Sequence, residues 1–148
     1  MAGMALDTLD RRLIALLQAD ARTATADLAR QLGVARTTVL ARLARLEKQG
    51  VVVGYTVRLG QDEAGAGVEA YVGITTSPQA ARLVTPRLAT FPELRQLCSV
   101  SGEFDYLALL RAESPARLDV LLDEIGAIDG VTKTTTSVVL ARRIDRTA

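Results

Sequence analysis

Two hydrophobic periods divide this chain. Up to Gly50 the apolar residues recur at helical spacing, and from Val68 they alternate. A helix returns a side chain to the same face about every 3.6 residues and a strand every second residue. Neither half could adopt the other's structure and still bury its apolar face. The chain must therefore be α+β, helices first and a sheet-bearing part second.

The first part reads as three helices. Leu9, Leu13, Leu16 and Leu17 make one stripe over residues 7–19, and Asp7 and Asp10 sit near its start, where negative charge suits the helix dipole. A second helix is predicted over residues 25–32 around Leu28 and Leu32, with Thr23 or Thr25 able to cap it. Gly33-Val34-Ala35 breaks the run, and Val39, Leu43 and Leu46 define a third helix over residues 36–49, stopped by Gly50. Two helices joined by a short glycine-bearing turn outline a helix-turn-helix, whose second helix enters the DNA major groove. Opposite the apolar stripe of that helix lie Thr37, Thr38, Ala41, Arg42, Arg45 and Lys48. Short side chains permit close approach to base edges, and arginine can bond guanine bidentately or reach phosphate. Arg36 opens the helix, where it is expected to reach phosphate. Ala35 stands at the cap position without a side-chain acceptor. The β-branched run over residues 51–59 predicts a strand or a short two-stranded wing.

Charge follows the same division. Residues 1–58 carry nine Arg and Lys against five Asp and Glu, a net of +4, and residues 59–148 nine against twelve, a net of −3. A basic first part suits a polyanion. The polar, glycine-bearing stretch 61–67 is a linker between domains at 1–60 and 68–148. The chain has no histidine, which removes Ser-His triads, His-ligated metals and the commonest proton-transfer group near neutral pH. One cysteine, Cys98, excludes an internal disulfide and is expected to be a small core residue. Neither cofactor nor metal is expected. No apolar run is long enough to span a membrane, and the first residues lack a secretory signal's order, so a cytoplasmic protein is expected.

From Val68 the pattern reads strand, helix, strand, twice over. Val68, Ala70, Val72 and Ile74 alternate with Glu69, Tyr71, Gly73 and Thr75. Ser77-Pro78 opens a helix containing Pro86, which should kink or split it. Further strands are predicted over residues 93–100, 106–112 and 131–140, with a helix opened by Ser114-Pro115. This order is ferredoxin-like βαββαβ, a four-stranded antiparallel sheet with both helices on one face. The mixed row from Glu69 to Thr75 suits dimerisation better than plain exposure.

The segments LDTLDRRLIALLQADAR, DLARQLGVARTTVLARLARLEKQGVVVGY, VSGEFDYLALLRA and GVTKTTTSVVLAR, in this order, resemble the leucine-responsive regulatory protein/asparagine-synthesis regulator (Lrp/AsnC) family of prokaryotic transcription regulators. The resemblance implies a non-enzymatic, sequence-specific regulator of double-stranded DNA, with a winged helix-turn-helix and a ferredoxin-like domain. It implies a small-molecule effector, usually an amino acid, bound between C-terminal domains, and homodimers that assemble into tetramers or octamers. The matching effector loop is Ser101, Gly102, Glu103, Phe104 and Asp105, with Thr134 and Thr136 on the final strand. A carboxylate of Glu103 or Asp105 would meet an ammonium, and backbone N–H groups or threonine hydroxyls a carboxylate. A tetrapyrrole decarboxylase resembling this family would be expected to use histidine, which is absent.

Overall fold

The computed structural model describes residues 5–60 and 67–146. The chain divides into two compact units, one within residues 1–58 and one within residues 59–146. The linker expected at 61–67 lies, apart from Gly67, outside the described residues.

The first unit is α1 (Thr8–Ala19), α2 (Thr25–Leu32) and α3 (Arg36–Lys48). Asp7 caps α1, and Asp10 completes a capping box with it. Ala24 occupies the N-cap of α2 with no side-chain bond, so neither Thr23 nor Thr25 caps it. Thr23 donates its hydroxyl to the Asp20 carbonyl instead. Gly33, at φ +69°, adopts the left-handed turn that ends α2 and opens the way to α3. Ala35 is the N-cap of α3 and makes no side-chain bond there. Leu13, Leu28, Leu32, Val39 and Leu46 form the buried core, each burial of a large apolar side chain contributing about 1.5–3 kcal/mol.

Residues 51–59 do not form the predicted strand. Among the described residues they have no ladder partner. Val51 and Val52 donate to the Leu46 carbonyl around Gly50, and beyond them Val53 and Val57 stand 93% and 79% exposed. β-branched residues favour a pleated, half-buried surface, and without a neighbouring strand that preference has nothing to act on.

The second unit runs β1 (Val68–Thr76), α4 (Ala81–Leu88), β2 (Leu94–Ser99), β3 (Tyr106–Ala112), α5 (Pro115–Gly126) and β4 (Val131–Val138). All pairings are antiparallel, in the order β2-β3-β1-β4, the ferredoxin-like arrangement. Ala70, Val72 and Ile74 of β1 and Ala108, Leu110 and Ala112 of β3 face Val84 and Leu88 of α4 and Leu118, Leu121 and Ile125 of α5. α4 starts later than Ser77-Pro78 predicted, because residues 77–80 first close a turn, Ala80 donating to the Ser77 carbonyl at 3.1 Å. Pro86 does not split α4. It lies in the last turn, where only a short stretch of helix follows its missing N–H.

Cys98 is exposed, not buried. It pairs with Leu107 on the edge strand β2, while its neighbour Leu97 pairs with Ala108 on the helix-covered face. Strand alternation thus places Cys98 on the uncovered side.

Candidate nucleic-acid interface and effector loop

The expected reading face exists as a surface. Thr37, Thr38, Ala41, Arg42 and Arg45 line one open depression of about 370 Å³ on α3. Arg36 and Lys48 are exposed and make no ion pair among the described residues. Arg42 and Arg45 are different. The periodicity presents them as solvated cations, but both are held by α1. Arg42 donates Nη1 to Asp7 Oδ2 and, at 3.2 Å, to Asp10 Oδ1. Arg45 donates Nη2 to Asp10 Oδ2 at 2.6 Å. Asp10 is 2% exposed.

Both carboxylates also accept a backbone N–H, so Asp7 serves two partners and Asp10 three. Asp7 Oδ1 accepts the Asp10 backbone N–H at 2.8 Å, and Asp10 Oδ2 accepts that of Asp7 at 3.3 Å. The Arg42 hydrogen bond, then the Asp10 backbone N–H, holds the Asp7 carboxyl below the ordinary aspartate range. The Arg42 guanidinium is pushed up by the same pairing with Asp7 and Asp10. Sequence reasoning placed Asp7 and Asp10 at a helix start but missed their second role. The signal available was their spacing of three, which aims both carboxylates off one end of α1. Nearby, burial and a 2.8 Å bond to Glu47 push the Tyr55 hydroxyl up to about 12.

The expected effector loop joins β2 to β3 and is tied to the end of β1. Asp105 Oδ2 accepts the Thr76 backbone N–H at 2.7 Å and its hydroxyl at 3.3 Å. The Asp105 N–H donates to the Ile74 carbonyl, and the Asp105 carbonyl accepts from Val100. Its carboxylate therefore already has partners, whereas Glu103, exposed with Ser101 and Gly102, has none among the described residues. Gly102 turns the chain at φ +107°. Phe104 lies over Gly73 on the sheet face away from the helices. A Cβ on Gly73 would fall 2.6 Å from the phenyl ring, so only glycine leaves room for it.

Thr134 and Thr136 do not join this group within one chain. They pair with Ile74 and Val72 and so share the helix-covered face, whereas Thr135 pairs with Gly73 on the side that holds Phe104. Thr76 and Gly73 are the loop's neighbours, and the sequence did not connect either with it.

Comparison with known proteins matches both units. Residues 6–53 match the winged helix-turn-helix DNA-binding profile, and residues 69–148 match the Lrp/AsnC ligand-binding domain. The chain is a member of the Lrp/AsnC family. It is 32% identical over 138 residues to the HTH-type transcriptional regulator LrpA of Pyrococcus horikoshii, spanning 93% of this chain and 98% of that one. It superposes on AsnC of E. coli with a TM-score of 0.88 at 28% identity, covering 97% and 98% of the two chains. The feast or famine regulatory protein of M. tuberculosis, solved with L-methionine, gives a TM-score of 0.85 at 34% identity, covering 96% and 97%. The chain is thus a transcription regulator of the Lrp/AsnC type and not an enzyme. No helix among the described residues is long and apolar enough to cross a membrane, and no acidic, Cys or His cluster among them could hold a metal ion.

Proposed function

We propose that this Lrp/AsnC member reads double-stranded DNA with α3 and changes its binding when an amino acid, or a related small molecule, occupies the C-terminal unit. The DNA-binding domain would be residues 1–60, and the effector-binding and assembly domain residues 68–148. Thr37, Thr38, Ala41, Arg42 and Arg45 would face base edges, with Arg36 and Lys48 on phosphates. The observation that carries this reading is the depression on α3, lined by small and polar side chains at one end and by the guanidinium donors of Arg42 and Arg45 at the other. A symmetric homodimer would set two such helices about one helical turn of DNA apart, or a multiple of it, and could assemble further into tetramers or octamers. Reading DNA in this way would place the protein in the cytoplasm.

The effector would lie against Ser101, Gly102, Glu103, Phe104 and Asp105, with Thr134 and Thr136. Thr134 and Thr136 lie apart from that loop within one chain, so this reading requires another copy to complete the pocket. The relative bound to L-methionine supports the chemical class. The test has two arms. The full chain selects duplexes from a random pool, and Arg36→Ala with Lys48→Ala should then flatten the salt dependence of binding by about 0.9 per lost phosphate contact. An unchanged slope removes these two residues from the interface. In parallel, a melting-temperature screen of the common amino acids should give at least one stabilising ligand, an effect lost in Gly102→Phe. No shift with any amino acid refutes the effector assignment.

A further inference from the structure

We propose that Asp7, the cap of α1, and Asp10 in its first turn are positioning residues that set DNA specificity, by holding Arg42 and Arg45 of α3 in place and cancelling their charge. The inference rests on the reading of α3 as the recognition helix. It starts from a juxtaposition that the helix period alone does not show. Arg42 Nη1 bridges two carboxylates, and Arg45 Nη2 meets the buried one at 2.6 Å. Asp10 is in turn fixed by the capping box at its own helix start. The two guanidinium groups are thus anchored to a rigid helix end while they line the depression with Thr37, Thr38 and Ala41.

Two consequences follow for recognition. An arginine side chain loses much rotational freedom when it is ordered, and an ordered fork loses less on forming its bonds. Among the described residues, Arg42 keeps Nε and Nη2, and Arg45 keeps Nη1, beyond the bonds made to Asp7 and Asp10. The second consequence is electrostatic. Two carboxylates against two guanidinium groups make a neutral cluster, so these residues offer oriented donors with little long-range pull on phosphate. Attraction to phosphate is independent of sequence, whereas donors aimed at base edges discriminate. The clamp therefore suppresses binding to unrelated DNA more than binding to the chosen site. Arg45 Nε is buried without a hydrogen-bond partner among the described residues, a position that the free protein would not favour for its own stability. The hold of Asp10 on Nη2 keeps it there.

The test compares the full chain with Asp7→Asn on a duplex selected by the wild type and on an unrelated duplex of equal length, each titrated between low and moderate salt. Asparagine keeps the cap acceptor, so α1 stays intact. The expected result is tighter binding to the unrelated duplex at low salt and a salt slope steeper by about 0.9 per released cation. The ratio between the two duplexes should fall about tenfold, or about 1.4 kcal/mol. Asp10→Asn, with its helicity checked by circular dichroism, should shift both readouts further the same way. If it fails to fold, Asp7→Asn alone decides. An unchanged ratio and slope overturns the proposal, and so does equal weakening on both duplexes, the mark of a merely structural role. If the wild type selects no sequence at all, the reading of α3 fails instead.

Discussion

Gly73→Ala tests how the loop before β3 is seated, because two effects oppose each other at that position. Glycine weakens a strand interior, so alanine alone should stabilise β1 by about 0.5–1 kcal/mol. The structure opposes this. The new Cβ would stand 2.6–2.7 Å from three atoms of the Phe104 ring, against a normal carbon contact of about 3.5–4.0 Å. The ring must move by about 1 Å, and its backbone cannot simply follow. The next residue, Asp105, is held by its N–H on the Ile74 carbonyl at 3.0 Å and by Val100 on its own carbonyl at 3.1 Å. Overpacking of this kind costs about 1–3 kcal/mol, so it wins, and the net loss should be about 1–2 kcal/mol. In urea, with a slope of about 1 kcal/mol per molar for a unit of this size, the midpoint should fall by about 1–2 M. The deciding assay is the double-mutant cycle with Phe104→Ala. With the ring gone, Gly73→Ala should become neutral or stabilising, and the coupling should be about 1–3 kcal/mol. A stabilising effect of Gly73→Ala in the wild-type background, or no coupling with Phe104, would refute the reasoning.

Two further outcomes can be stated. Asp105→Ala removes the single oxygen that accepts from both the N–H and the hydroxyl of buried Thr76, and should lower the melting temperature by an amount matching about 1–2 kcal/mol, while Asp105→Asn, which keeps an acceptor, should recover part of it. Equal loss in both variants would mean that charge, not the hydrogen bond, holds the loop. Asp7 and Glu93 both titrate below their ordinary values of 3.8 and 4.5, mainly through hydrogen bonds from Arg42 and Arg117. A lowered folded-state value makes the unfolded chain bind protons first, so this stability is complete above those ordinary values and is lost as pH falls through the lowered ones. Melting temperatures recorded from pH 6 to pH 2 should therefore fall less steeply for Asp7→Asn, and identical slopes would rule out an Asp7 contribution.

The sequence by itself determined the elements and their order. Leu13, Leu28, Val39 and Leu46 keep helical spacing, and Ala70, Val72 and Ile74 keep strand spacing, and all are buried. These are local signals, because the period of a helix or strand is set by backbone geometry within a few residues. Gly33 at the turn and Ser114-Pro115 at the start of α5 were legible for the same reason. The family was legible too, since its motifs are contiguous. Only the tertiary structure decided which groups meet. Arg42 and Arg45 look solvated on a helical projection, but their partners lie more than 30 residues earlier. Asp105 looks like a free ligand group until Thr76 is brought beside it, and Gly73 looks like a weak strand residue until Phe104 covers it. Residues 51–59 have strand composition and no strand, and Cys98 has apolar neighbours and an exposed side chain. In each case the outcome depends on what another element presents. A one-dimensional pattern encodes which face a side chain occupies, and it does not encode what stands opposite that face.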